Sequence, residues 1–133
     1  VVEEAVNQGR RGARAENQVA DQLRELGYDV IRSAASKGAA DLVAVNEWWV
    51  LFVQVKICPV GKTYTQLSPA ERRQLVRVAT RVPGGHGFSV VAQVRPGSGS
   101  RPAVIEYYQL MTDHPSDHWR WDLAGSPEVS PSA

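Results

Sequence analysis

The chain predicts an α/β domain in which a mixed central β-sheet is flanked by helices, and three observations lead there. Within residues 41–56, two β-branched and aromatic runs are separated by a polar pair, Asn46-Glu47, the pattern of a hairpin. Ser68-Pro69-Ala70-Glu71 opens a helix: serine can cap, proline suits the first helical position, and glutamate can close a capping box. The elements run helix, three strands, helix, two strands, with no internal repeat and no regular alternation of a doubly wound sheet.

Taken in order, residues 1–12 are polar and contain glycine and arginine, and they read as a flexible basic arm. Ala13, Glu16, Val19, Ala20, Leu23 and Leu26 then recur at helical spacing until Gly27 stops the pattern. Residues 28–32 alternate as a short strand, and 33–38 form a small-residue loop into the hairpin. If Glu47 and Trp48 make a two-residue turn, facing positions sum to 95 and Asp41 lies opposite Gln54, although this pair is not a favoured turn. A one-residue slip would send Asp41 to the other face. The capped helix runs from Pro69 to about Val82, with Leu75, Val76, Ala79 and Val82 as its buried stripe, and Pro83-Gly84-Gly85 ends it. Residues 88–94 and 104–108 read as two further strands, and Trp119 and Trp121 alternate onto one side of a C-terminal strand or extended segment. Residues 13–125 form one domain, and the Pro/Ser-rich stretch 126–133 is a disordered tail.

Size and composition narrow the function classes. At 133 residues and 43% hydrophobic, the chain is long enough for one core. Its lone Cys58 excludes an intrachain disulfide framework and a cysteine zinc site. No stretch approaches the ~18 apolar residues of a membrane span, and Val1-Val2-Glu3-Glu4 lacks the basic and apolar regions of a signal peptide. A cytoplasmic location without a membrane partner is expected. The net charge of +1 does not announce a nucleic-acid binder, but its distribution does more. Residues 1–83 carry 12 Lys/Arg against 9 Asp/Glu, whereas 84–133 carry 3 against 5.

The positive half also holds the candidate chemistry. On the hairpin Asp41, Gln54 and Lys56 would project to one side, giving a charged oxygen, a neutral oxygen and an ammonium. Mg²⁺ needs oxygen ligands and keeps several waters, so one or two protein oxygens plus a substrate phosphate suffice to hold it. Lys56 would then stabilise charge building on phosphorus, which is the arrangement for metal-assisted phosphodiester hydrolysis. The same three residues also fit a solvated hairpin face with a cross-strand polar pair. Glu16 shares a stripe with Val19, Ala20 and Leu23, where it either partners an inward metal or lysine or stays solvated in the helix's first turn. Arg10, Arg11, Arg14, Arg32 and Lys37 flank the site and are candidate DNA contacts.

Other signals are weaker. Arg73, Arg77 and Arg81, with Arg72 beside them, make a basic stripe that reads first as a solvated helix face. Gly61-Lys62-Thr63 lacks the upstream glycine of a P-loop, because position 56 is lysine, so no nucleotide cofactor is expected. His114 and His118 lie in a Pro/Asp-containing loop and read as a surface pair, not a zinc site. Trp48 and Trp49 are candidates for base stacking or a subunit contact, with core packing expected for at least one.

Gly12-Ala13-Arg14-Ala15-Glu16, the stretch 27–44 with its Arg32-Ser33-x-x-Ser36-x-Gly38 loop, and Val53-Gln54-Val55-Lys56 resemble the archaeal-type Holliday junction resolvases of the PD-(D/E)xK nuclease superfamily, over roughly residues 10–95. The resemblance implies a restriction-endonuclease-like core, dependence on Mg²⁺ with Mn²⁺ as a substitute, a homodimer, and paired incisions across a four-way DNA junction. By position, Glu16, Asp41 and Lys56 match family catalytic positions, and Ser33 or Ser36 matches a serine near the scissile phosphate. The implied metal ligands are Asp41, residue 54, Glu16 and the backbone carbonyl of Val55. Gln54 departs from the glutamate usual in the resolvases, although related Mrr-type nucleases carry a Q-x-K version beside an aspartate. An amide there removes one negative charge, so weaker Mg²⁺ binding and greater reliance on Glu16 or Mn²⁺ are expected. The alternatives are an Mrr-like or repair nuclease acting on other DNA, and a catalytically silent DNA-binding module of the same fold.

Overall fold

The computed structural model describes the backbone of residues 2–32, 38–110 and 118–121, and the side chains of 12–32 and 38–110. Along the chain run α1 (Val2–Glu25), β1 (Asp29–Arg32), β2 (Leu42–Val45), β3 (Val50–Ile57), α2 (Pro69–Thr80), β4 (Gly87–Arg95), β5 (Val104–Leu110) and β6 (His118–Trp121). The strands form one six-stranded sheet in the order β1-β2-β3-β4-β5-β6. Only β3 and β4 run parallel, because α2 returns the chain between them, and every other neighbouring pair is antiparallel.

Alternation along the strands sorts the sheet into two faces. Leu51 and Val53 of β3 and Val90, Ala92 and Val94 of β4 pack with Ala15, Val19, Ala20 and Leu23 of α1. Phe52 and Val91, one residue out of phase, pack with Leu75 and Val76 of α2, joined by Ala40, Leu67 and Leu110. β4 is buried along nearly its whole length, as expected for an inner strand covered on both faces. Gln54, Lys56 and Gln93 fall in the phase that faces α2. Tyr107 on β5 donates its hydroxyl to Gln22 Oε1 on α1 at 2.6 Å, and burial pushes that phenol's pKa up.

The hairpin has the expected register, with Leu42 opposite Val53 and Val45 opposite Val50. Its unfavoured turn pair is rescued by the residue before it. Asn46 Oδ1 accepts from the backbone N–H of Trp48 at 2.9 Å and of Trp49 at 2.7 Å, an Asx turn that closes the loop alongside the Asn46 N–H to Trp49 carbonyl bond of 3.1 Å. Trp49 packs edge-on against Phe88 with ring centroids 5.0 Å apart, whereas Trp48 is 55% exposed.

α2 carries the full capping box: the Ser68 side chain accepts from the Glu71 N–H, and the Glu71 side chain accepts from the Ser68 N–H. The approach to it, residues 58–68, is pinned from β4 and β3. The Gln93 amide makes two reciprocal 2.9 Å bonds with the Thr65 backbone, and Thr65 Oγ1 donates to the Ile57 carbonyl at 2.9 Å. Arg95 adds bonds to the Lys62 and Thr63 carbonyls. Gln93 is fully buried, and this pairing satisfies it.

Several expectations are corrected. Residues 2–12 are helical, not a loose arm, and isolated Gly9 and Gly12 cost about 1 kcal/mol each without breaking the helix. Ala13 and Leu26 are exposed, and Ala15 takes the inward position instead. Arg72 is buried, while Arg73, Arg77 and Arg81 are exposed. Arg72 lies three residues before Leu75 and so belongs to the inward stripe; it neighbours Tyr64, whose pKa burial pushes up to about 12. His118 begins a strand instead of sitting in a loop, and that strand carries Trp119 and Trp121. His114 and the tail 126–133 lie outside the described residues.

Candidate functional site

The candidate site forms where β2 ends against the C-terminal half of β3. Leu42 is the first paired residue of β2, so Asp41 stands one position beyond the ladder. Its N–H donates to the Val53 carbonyl at 2.9 Å, and its carboxylate Oδ2 accepts from the Val55 N–H at 2.9 Å. A side-chain oxygen thus takes a strand donor that a backbone carbonyl of β2 would otherwise satisfy. Val55's carbonyl points to the same side as its N–H, off the end of β2 and toward Asp41. Gln54 is 7% exposed, and its Nε2 donates to the Ala39 carbonyl at 3.1 Å. The expected facing of Asp41 and Gln54 therefore takes a different form: the Asp41 side chain bonds the β3 backbone, and the Gln54 side chain bonds the backbone of the loop that precedes β2.

Lys56 is held from the far side. Its ammonium lies 3.2 Å and 3.1 Å from the two carboxylate oxygens of Glu71, the capping-box residue of α2. From the sequence Glu71 reads only as a cap. The signal for more was in the connection, because a crossover helix that follows β3 begins near the C-terminal end of β3, where Lys56 sits.

Glu16 reaches the same neighbourhood from α1. Its Oε1 accepts from Arg32 Nη2 at 3.2 Å, and Arg32 Nη1 also contacts Asn17 Oδ1. The side chain of Glu16 is 23% exposed, so it is neither the freely solvated first-turn residue nor an unpaired inward charge. Its guanidinium partner is Arg32, one of the residues expected to contact DNA. Arg14, another of these, lies with Gln18, Ile57 and Arg101 along a groove on the α1 side of the sheet. Ile57 and Lys56 point to opposite faces, so the structure does not bring Arg14 onto the Lys56 face. Arg10 and Arg11 lie on α1, with side chains outside the described residues; Ser33, Ser36 and Lys37 lie wholly outside them.

Electrostatics ties these groups together. Burial pushes the Asp41 carboxyl above its usual range; the Val55 N–H and Lys56 pull it down, and the carboxylates of Glu16 and Glu71 push it up. Burial would likewise raise Glu71, but the Ser68 N–H and the Lys56 ammonium outweigh it and hold that carboxyl low. The negative charge of Asp41 is therefore disfavoured by its surroundings, a penalty that a bound cation would relieve.

The donor set is all oxygen, which suits Mg²⁺ or Mn²⁺. Among the described residues no three His, Cys, Asp or Glu side chains close around one point. A metal here would rest on the Asp41 carboxylate with the Val55 carbonyl and the Gln54 side-chain oxygen beside it, and with Glu16 available on release from Arg32. One or two carboxylates with retained waters is ordinary for Mg²⁺, so the residues fit such an ion without forming a cage.

Comparison with known proteins follows this geometry. The family model described as archaeal Holliday junction resolvase (Hjc) matches residues 7–96, well over half of the chain. Among solved structures 17 chains match. One is the 1.6 Å structure of Archaeoglobus fulgidus Hjc, a Holliday junction resolvase from an archaeal hyperthermophile, at 23% identity and a TM-score of 0.58 over 92% of this chain and 88% of that one. That likeness establishes the shared fold. The search of curated proteins gives no match. Among the described residues no helix is long and apolar enough to cross a membrane.

Proposed function

The chain belongs to the archaeal Holliday junction resolvase (Hjc) family, and on that premise we propose that it is a Mg²⁺-dependent, structure-selective DNA endonuclease making paired incisions in four-way junctions. The observation that most supports this is the Asp41 carboxylate, bonded to the Val55 N–H at 2.9 Å where the sheet opens, within electrostatic reach of Lys56 and Glu16. Such an acid, beside a backbone carbonyl and an ammonium, is the minimum a phosphodiester hydrolase needs.

Asp41 and Glu16 would hold the ion, with neutral oxygens from Gln54 and the Val55 carbonyl, and a Mg²⁺ ion held there would supply polarisation of a phosphate oxygen and a water of lowered pKa. Val55 orients Asp41, and Lys56 stabilises the negative charge that grows on the phosphoryl oxygens. Ser33 or Ser36 holds the scissile phosphate. Arg10, Arg11, Arg32 and Lys37 contact neighbouring phosphates, and Arg14, on the α1 side of the sheet, contacts the duplex away from the site. One small domain offers one site and a junction needs two cuts, so the working form is a homodimer, acting in the cytoplasm on branched DNA. No nucleotide cofactor takes part. Purified protein is expected to nick a synthetic immobile four-way junction in Mg²⁺ and to spare a linear duplex of the same sequence. Equal cutting of both would instead identify a nuclease of Mrr or repair type.

Gln54 favours one second reading, a silent DNA-binding module, because its buried amide is committed through Nε2 to the Ala39 carbonyl. Junction binding indifferent to Mg²⁺, with no nicking by any divalent ion, would support it. Gln54→Glu separates the two. In a working site the new carboxylate raises Mg²⁺ affinity by about tenfold, read by calorimetric titration. In metal-free buffer the same variant melts lower, since a carboxylate cannot donate to Ala39 and position 54 is buried.

A further inference from the structure

We infer that Glu71 is a positioning residue of the cleavage site, clamping the Lys56 ammonium and supplying the anionic partner that Gln54, a neutral amide, does not. This rests on the nuclease reading above. Both Glu71 oxygens meet Lys56 Nζ, at 3.2 and 3.1 Å, and the side chain of Lys56 is only 25% exposed. Gln54 lies two residues before Lys56 on the same strand face, but its donor is spent on the Ala39 carbonyl and it carries no charge. Lys56 therefore finds its ion partner on α2, across the space that Asp41 borders.

The clamp is itself built. Glu71 Oε1 is fixed by the Ser68 N–H at 2.9 Å, which leaves little rotamer freedom for the carboxylate. The segment leading to Ser68 is tied to the sheet by Gln93, whose register partner across β3–β4 is Lys56 itself. The distance between the start of α2 and the end of β3 is set by the same strands that carry the site. A flexible lysine on its own would spread over many rotamers; paired here, its charge is parked at one place beside Asp41.

Capping and clamping can be separated, because glutamine at the third helical position also completes a capping box but carries no charge. Single-turnover cleavage of the immobile junction, junction affinity, melting temperature and the metal-free reactivity of Lys56 toward an amine-modifying reagent, read by mass spectrometry, are measured for wild type, Glu71→Gln and Glu71→Asp. Glu71→Gln is expected to melt slightly below wild type at neutral pH, because the ion pair is lost while the cap is kept, to bind the junction with equal affinity, to cut roughly 10- to 100-fold more slowly, and to expose Lys56 to faster labelling. Glu71→Asp, which keeps the charge, is expected to recover most of the rate. Wild-type cutting and labelling by Glu71→Gln would overturn the clamp alone. A wild-type protein that cuts no DNA would overturn the nuclease reading and this assignment with it.

Discussion

Asp41→Asn is expected to abolish junction cleavage, with a loss on the order of 10³-fold, while junction affinity stays within about threefold of wild type. Asparagine keeps the shape of the side chain and an oxygen that can accept the Val55 N–H, so the strand end is preserved. What disappears is the charged ligand. The variant should also be more stable than wild type in metal-free solution near neutrality. Burial and the carboxylates of Glu16 and Glu71 oppose the charge on Asp41. Its carboxyl pKa is raised in the folded chain, so between the unfolded and folded values the native state binds more protons and stability falls as pH rises. The gain from Asp41→Asn is therefore full above the folded pKa and vanishes once the pH drops below the ordinary carboxylate range. Melting curves at neutral pH and at pH ~3 read this directly, and Mg²⁺ should raise the wild-type melting temperature more than that of the variant. A variant that cuts normally would remove Asp41 from the site.

Lys56→Met should lower the cleavage rate by roughly 10²- to 10³-fold with little change in fold. Methionine replaces the apolar stem and drops only the ammonium. The change strips Glu71 of its cation and leaves that carboxylate to the Ser68 N–H, which raises its pKa toward the ordinary value. Glu71 is held low in the native wild type, so it contributes stability that is present above its unfolded pKa and is lost as the pH falls through the folded one. Acid denaturation of Lys56→Met should accordingly begin at a higher pH than in wild type. Single-turnover rates separate this loss of chemistry from any loss of binding, and unchanged rates would take Lys56 out of the reaction.

Much of this was legible in the sequence because it depends on local periodicity. The hairpin register follows from alternation across 42–53, and the phase of Gln54 and Lys56 against Val53 and Val55 follows with it. Ser68-Pro69-Ala70-Glu71 announced its helix start. The inward stripe of α2 is legible too, but its spacing also takes in Arg72, a residue whose charge argues for the outside.

Other parts depend on contacts distant in sequence. That Asp41 leaves the ladder and turns its carboxylate onto the Val55 N–H is decided by where β2 ends, which alternation alone does not mark. The Lys56–Glu71 pair requires the connection 58–68 to close on a particular spot, and that closure is governed by Gln93, 28 residues from Thr65. The Glu16–Arg32 pair joins α1 to the end of β1 in the same way. Asn46 shows the opposite case, a turn whose chemistry was present in the sequence one position before the pair that seemed to lack it.

The central claim is that one divalent ion sits at the end of β2 on the Asp41 carboxylate, and a crystal soaked in Mn²⁺ tests it through anomalous scattering. An anomalous peak roughly 2.1 Å from an Asp41 carboxylate oxygen, on the side of the Val55 carbonyl and the Gln54 side chain, is the predicted result. A saturated crystal with Mn²⁺ bound elsewhere, and Asp41 still bonded only to the Val55 N–H, would contradict it.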